Sequence, residues 1–234
     1  MKKPRKITVK PFLNDKLEGI ETCIQENDTE RETFLFPLYY MVIYNRNNTK
    51  FKSRLGFYYE TIEEASLEMI SFESKTIEKI LRYQISKSED EVNLKGLGNH
   101  FNILSEDLFY CTEKYLKAKL KFFALKADGR LSFIINFDDF RNSFTKYYEV
   151  ITQLFTGIEK YFDKQFELEV KSYEQYKMLR EKEHIKPFSA PVIIDWLNGS
   201  YKPFIQRKIT SETDQKHIFS LIESVVQKQL KFID

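Results

Sequence analysis

The chain has 234 residues, of which 42% are hydrophobic, so it can bury the core of one large domain or two small ones. This composition excludes a disulfide-stapled miniprotein, a collagen and a fully disordered chain. Lys and Arg number 37 and Asp and Glu number 35, which leaves a net charge of +2. Any interaction with a polyanion must therefore depend on where the cations lie and not on their total.

The first predicted element is a strand at residues 6–13, where apolar and polar residues alternate up to Pro11. Residues 14–32 carry seven acids against Lys16 and Arg31, and this polar composition predicts a loop.

A β-hairpin is predicted next. Residues 34–45 are rich in aromatic and β-branched side chains, which is typical of a strand. The turn Asn45-Arg46-Asn47-Asn48 follows, and a second strand is predicted over Thr49–Tyr59. In that strand, alternation places three cations on one face (Lys50, Lys52, Arg54). It places three less polar side chains on the opposite face (Phe51, Ser53, Leu55).

The rest of the chain is mainly helical in its periodicity. Thr61-Ile62-Glu63-Glu64 has the spacing of a capping box at the start of the first helix. Helices are predicted at about 62–86, 106–127, 139–162, 166–184 and 191–198, with a last one capped by Thr210 or Ser211. Asp128-Gly129 predicts a turn, and Leu131–Phe137 is either a short strand or a buried link.

These elements predict an α+β fold in which a small N-terminal antiparallel three-stranded sheet with a helix precedes a mostly α-helical body. Residues 87–99 contain Gly96 and Gly98 and few large apolar groups, so they are predicted to be a linker between domains 1–86 and 100–234.

The location of the protein is also predicted. Cys23 and Cys111 lie far apart, and no apolar signal segment precedes them, which predicts free thiols in the cytoplasm. No stretch approaches the roughly 18 consecutive apolar residues of a membrane helix, so no membrane partner is expected.

Catalytic and cofactor signatures are not found in the sequence. His100, His184 and His217 lack the spacing of a metal site, and the two cysteines form no paired motif. Phosphate-binding loops, dinucleotide fingerprints and nucleophile elbows are also missing. We therefore expect no metal, no cofactor and no catalytic residue.

Two weaker catalytic patterns remain as alternatives. Asp138 or Asp139 with Glu169-Val170-Lys171 imitates the acids and lysine of a metal-dependent nuclease, but that site needs strands where helices are predicted. Arg180 and His184 form the only close arginine–histidine pair, one residue short of the spacing usual in helical ribonucleases.

Two N-terminal segments contain several Lys and Arg residues but no Asp or Glu. Residues 1–13 contain Lys10 and four other cations, and residues 33–59 contain Arg46, Lys50, Lys52 and Arg54, with no acid in either segment. A sheet face of this kind can meet the phosphates and base edges of the DNA major groove. The alternative is an ordinary solvated face whose lysines discourage pairing of strand edges.

Three segments resemble the N-terminal arm-type DNA-binding domain of tyrosine recombinases (integrases) from mobile elements. They are Ile7–Leu13, Phe36–Arg46 and Thr49–Phe51, within a likeness that covers about residues 6–85. The resemblance implies a three-stranded sheet with a helix whose sheet face binds duplex DNA. It also implies DNA contacts by Lys10, Arg46, Lys50, Lys52 and Arg54.

The resemblance does not extend to recombinase catalysis. That catalysis needs a His-x-x-Arg motif, and none of the three histidines has Arg at the third position after it. We therefore expect a non-enzymatic DNA-binding or accessory protein of a phage or mobile element, with a protein partner bound through the helical body. The alternatives are a protein-interaction or assembly factor that uses the aromatic hairpin and, less favoured, a metal-dependent nuclease.

Overall fold

The computed structural model describes residues 6–17, 19–26, 29–88, 92–127 and 143–233. Several predicted features lie outside these ranges: the turn at Asp128-Gly129, the segment Leu131–Phe137, the carboxylates of Asp138 and Asp139, and part of the linker 87–99.

The protein is α+β, with an antiparallel sheet followed by helices. The strands are β1 (Thr8–Leu13), β2 (Ile20–Glu26), β3 (Thr29–Tyr44), β4 (Asn47–Lys52) and β5 (Tyr58–Tyr59). All four other strands pair with β3, which is 16 residues long. The predicted three-stranded sheet corresponds to β1, β3 and β4, because β1 and β4 flank the same half of β3.

The predicted loop at 14–32 is wrong in its second half. Residues 20–26 form β2, which pairs with the first half of β3 in a two-stranded ribbon. The acids there favoured a loop, but Ile20, Thr22 and Ile24 alternate as in a strand. The pairing runs from Ile20 with Leu35 to Glu26 with Thr29, so the whole of β2 is paired.

The predicted strand 49–59 is also interrupted. β4 ends at Lys52, and the chain turns before β5 resumes at Tyr58. The chain turns over Ser53–Gly56, where the Gly56 amide donates to the Ser53 carbonyl oxygen at 3.3 Å and Gly56 has a φ of 67°. Ser53 is buried at the start of this turn, and its hydroxyl donates a hydrogen bond to the Glu73 carboxylate at 2.7 Å.

One face of the sheet is covered by two helices, α1 (Leu67–Lys87) and α2 (Leu97–Leu104). Leu38, Tyr40 and Val42 on β3 have no exposed surface, and Phe101 of α2 packs against Tyr40. Burial of these large side chains supplies most of the stability of this part of the chain.

α1 differs from its predicted limits, and α2 was not predicted. The capping box at Thr61 is wrong, since Ile62–Glu64 is a 3₁₀ turn and Ser66 caps α1 by accepting from the Met69 amide. The last residues of the predicted linker 87–99, from Leu97 onward, are the start of helix α2. Gly98 allows α2 to approach β4 closely, because a Cβ there would lie 3.0 Å from Cβ of Phe51.

The remaining helices follow the predicted pattern with shifted ends. They are α3 (Leu108–Ala127), α4 (Phe144–Leu154), α5 (Lys164–Lys182), α6 (Ile193–Leu197), α7 (Lys202–Lys208) and α8 (Glu212–Leu230). Asp107 caps α3 and Ser211 caps α8, at or beside the predicted starts. α7 was not predicted.

Contacts divide the chain into two compact units. The first contains residues up to Ser105 together with Pro187–Asn198, and the second contains Glu106–Lys186 and Gly199–Phe232. The division into domains 1–86 and 100–234 stays a prediction, because contact grouping does not measure independent folding.

The second unit is a helical bundle with an aromatic core. Phe123, Phe162 and Phe166 form one cluster, with ring centroids 5.0 to 5.5 Å apart. Tyr173 stacks on Phe109 in another. A helix long and apolar enough to cross a bilayer does not occur in the described ranges.

Candidate nucleic-acid interface

The outer face of β1, β3 and β4 carries a row of two lysines around a methionine. Met41 on β3 pairs with Lys10 of β1 on one side and with Lys50 of β4 on the other. Both lysines are exposed. Because cross-strand partners point to the same face of a sheet, the two ammonium groups lie on one surface.

The next row along the strands is aromatic. Tyr39 pairs with Phe12 on β1 and with Lys52 on β4. The rings of Phe12 and Tyr39 have centroids 6.0 Å apart, and the Lys52 ammonium lies 4.5 Å from the centre of the Tyr58 ring. We call Lys10, Lys50, Lys52, Phe12 and Tyr39 the basic–aromatic face.

The basic–aromatic face carries cations and no acids. The segments that form it, Thr8–Leu13, Leu38–Tyr44 and Asn47–Lys52, contain no Asp or Glu. Lys50 and Lys52 are held over aromatic rings and not by carboxylates, since Lys50 lies 5.5 Å from the centre of the Phe12 ring. Attraction to a ring leaves the positive charge unneutralised, so both groups can still meet an anion.

Arg46 lies at the tip of the β3–β4 hairpin. Asn45 and Arg46 have φ values of 50° and 64°, and Tyr44 pairs with Asn47, which defines a two-residue turn of the left-handed type. Asn favours that conformation, so the sequence selects a tight turn that places an exposed arginine at the end of the sheet.

Arg54 does not join the basic–aromatic face, which corrects the predicted alternation of Lys50, Lys52 and Arg54. Its guanidinium donates to the Ser105 carbonyl oxygen at 2.6 Å. Its backbone amide donates to the Glu73 carboxylate at 3.1 Å. The alternation fails because β4 ends at Lys52, two residues earlier. A DNA contact by Arg54 stays a prediction.

Glu73 is the buried acid on the inner side of this sheet. Burial raises the pKa of its carboxyl group, and the hydrogen bonds from the Ser53 hydroxyl and the Arg54 amide oppose that rise. Burial, reinforced by the nearby Glu73, also raises the pKa of the Tyr40 phenol. These groups belong to the core and do not titrate on the basic–aromatic face.

Sequence reasoning missed the aromatic half of this face. Phe12 follows Lys10 by two residues, and that spacing already puts both side chains on one side of a strand. The sequence does not show that Tyr39 would lie between Phe12 and Lys52, because the register between strands sets that arrangement.

A cleft of about 680 Å³ lies in the second unit, and Arg180 and His184 both line it with Lys177 and Glu113. The Arg180 guanidinium is engaged by Asp107 through two hydrogen bonds of 2.8 Å. Arg180 and Asp107 thus form an ion pair with two hydrogen bonds.

The nuclease pattern is only partly within the described ranges. Glu169 lies on α5, is 2% exposed and accepts hydrogen bonds from Lys119 and Tyr115. Within the part of the chain that the structure describes, no group of three or more His, Cys, Asp or Glu side chains could hold a metal ion.

Comparison with protein-family models, with curated proteins and with solved structures gave no match to this chain.

Proposed function

We propose that the protein binds duplex DNA through the basic–aromatic face, as a non-enzymatic accessory protein of a phage or mobile element. The observation that carries this proposal is the row Lys10–Met41–Lys50, in which two exposed cations lie on one face, and the paired segments Thr8–Leu13, Leu38–Tyr44 and Asn47–Lys52 contain no acid. The resemblance of residues 6–85 to integrase arm domains supports the mobile-element assignment.

The dimensions of the face suit a DNA groove. Neighbouring strands are about 4.8 Å apart, so the backbones of Lys10 and Lys50 are separated by roughly 10 Å across β3. The major groove of B-DNA is about 12 Å wide and admits a narrow β-sheet. Lys52 lies two residues after Lys50 on β4, so it adds a further charge about 7 Å along the same strand.

Because the inner face of this sheet region is buried, a ligand would bind to its outer face. The inner face is filled by α1 and α2, and its central residues Leu38, Tyr40 and Val42 have 0% exposure. Arg46 at the hairpin tip extends the positive surface beyond the last strand pair. Contacts to phosphates by these groups would release counterions and give affinity that falls as salt rises.

Charge reversal tests this proposal. We expect the double variant Lys10→Glu, Lys50→Glu to lose at least about tenfold in affinity for a 20-base-pair duplex, measured by fluorescence anisotropy at low salt. A matched control is Lys75→Glu with Lys95→Glu, which makes the same charge change at exposed positions of the same unit. Equal losses in both double variants, or no duplex binding by the unmodified protein, would contradict the proposal.

A second candidate function is protein binding, and exposed apolar side chains favour it. Phe34 and Phe57 in the first unit are 51% and 52% exposed, and Met178 in the second is 67% exposed. Where exposed apolar side chains form a contiguous patch, they are typical of an interaction site. Retained complex formation by the Lys10→Glu, Lys50→Glu variant with a partner captured by the unmodified protein would support this function over DNA binding.

A further inference from the structure

We propose that the basic–aromatic face also binds unpaired nucleotides, with Phe12 and Tyr39 as the rings on which bases stack. This inference rests on the proposed function, because it assigns a second nucleic-acid substrate to the same surface. It concerns single-stranded segments, in which the flat faces of the bases are free to stack on protein rings.

The rings are arranged as a platform. Phe12 and Tyr39 are cross-strand neighbours with centroids 6.0 Å apart and planes tilted by 48°. Both are half-buried, so each ring is fixed by the sheet and still reaches the surface. Ordered rings lose little conformational freedom when a base stacks on them, which favours binding.

Two rings of this sheet region each lie beneath a lysine ammonium group. The Lys50 ammonium lies over the Phe12 ring, and the Lys52 ammonium lies over Tyr58, whose hydroxyl accepts its hydrogen bond at 3.0 Å. Lys50 is exposed and Phe12 is half-buried, so the contact between them lies at the surface of the sheet. When a base takes the place of the ammonium group, the lysine can move to the adjoining phosphate.

Cation and ring thus alternate at a spacing suited to a nucleic-acid strand. The lysine row and the aromatic row are two residues apart along each strand, or about 7 Å. Proteins that bind single strands combine a positive path for the backbone with aromatic rings for the bases. In an intact duplex the bases are stacked on one another, so the rings can add little to its binding.

The experiment compares a fluorescent 12-nucleotide dT strand with a 12-base-pair duplex, using the full chain. We expect the unmodified protein to bind both. In the variant Phe12→Leu, Tyr39→Leu we expect affinity for dT₁₂ to fall at least about tenfold while affinity for the duplex stays within about twofold. Thermal unfolding followed by circular dichroism verifies that the variant is folded.

The matched control is Tyr83→Leu. Tyr83 is a half-buried ring on α1 that also carries a lysine, Lys87, 5.4 Å from its centre. We expect this variant to bind dT₁₂ like the unmodified protein. A milder variant, Tyr39→Phe, keeps the ring and should retain dT₁₂ binding even if the leucine variant folds poorly.

The outcomes separate this inference from the proposed function. Equal loss of dT₁₂ and duplex binding in the leucine variant, or dT₁₂ binding that does not depend on the rings, overturns the stacking role and leaves duplex binding in place. Loss of dT₁₂ binding in the leucine variant, when the unmodified protein binds no duplex, overturns the proposed duplex function but retains the stacking platform.

Discussion

The Ser53 hydroxyl donates a hydrogen bond of 2.7 Å to the carboxylate of Glu73. It lies immediately after Lys52, where β4 ends and the chain turns. The cations on either side of it differ in position: Lys50 and Lys52 lie on the strand, and the Arg54 guanidinium donates to the Ser105 carbonyl oxygen. A buried carboxylate on α1 thus lies beside the point where β4 ends.

The buried position of Glu73 predicts a pH-dependent stability. Burial raises the folded-state pKa of Glu73 above 4.5, which is the ordinary pKa of a glutamate side chain. The folded protein then binds this proton more tightly than the unfolded chain. The contribution of Glu73 to stability is therefore fully present below about pH 4.5 and declines as pH rises through the folded-state pKa.

We test this with Glu73→Gln, which is uncharged at every pH and keeps a carbonyl oxygen to accept hydrogen bonds. The free energy of unfolding of the variant, relative to the unmodified protein, should increase as urea titrations move from pH 4 toward pH 8. The exposed Glu68→Gln on the same helix should show no such trend. A relative stability that is flat, or that falls with pH, contradicts the prediction.

The Asp107–Arg180 pair should stabilise the second unit. Asp107 accepts hydrogen bonds from the amides of Phe109 and Tyr110 and pairs with Arg180, whose guanidinium lies 4.7 Å from the Phe109 ring centre. Asp107→Ala removes both the helix cap and the ion pair, and we expect it to cost about 2–3 kcal/mol in urea unfolding.

Asp107→Asn separates the two effects, because an amide oxygen can still cap the helix while the charge is lost, so its cost should be smaller. The exposed pair Arg82–Glu78 on α1 provides a control, and Arg82→Ala should cost less than about 0.5 kcal/mol. A loss from Asp107→Ala no greater than this control would show that the pair does not stabilise the unit.

Salt dependence should report the number of phosphate contacts. If Lys10, Lys50 and Lys52 each contact one phosphate, the logarithm of the association constant for duplex DNA should fall with the logarithm of salt concentration at a slope of about −2.7. Lys50→Ala should reduce the magnitude of that slope by about 0.9. A slope near zero, or one that Lys50→Ala leaves unchanged, would exclude the face from the contact.

The two cysteines should differ sharply in reactivity. Cys23 is exposed, whereas Cys111 is buried with its sulfur 3.0 Å from the Glu106 carboxylate. Burial, aided by Glu106, raises the pKa of the Cys111 thiol, and the thiolate is the reactive form. A colorimetric thiol reagent at pH 8 should therefore label one thiol in the folded protein and two in denaturant. Cys23→Ser should abolish labelling of the folded form, and rapid reaction of two thiols would contradict this assignment.

Much of the fold could be predicted because it depends on local pattern. The alternation at residues 6–13, the aromatic run at 34–45 and the Asn-Arg turn specify three strands whose pairing follows from chain order. Helical periodicity located α3, α5 and α8 within a few residues, since a buried stripe repeats at the helical period.

Only the tertiary structure decided the composition of the candidate site. Strand parity placed Lys50 and Lys52 together, but Lys10, Phe12 and Tyr39 joined them through the register between β1 and β3. Arg54 lies off the face, and its amide donates to Glu73, which is 19 residues away in sequence. The ribbon of β2 and β3 formed despite its acids, because backbone pairing with a long central strand outweighed local preference. The sequence by itself thus determined which segments are strands or helices wherever the signal repeats along the chain. The tertiary structure decided which side chains meet, because such contacts depend on register and burial between distant segments.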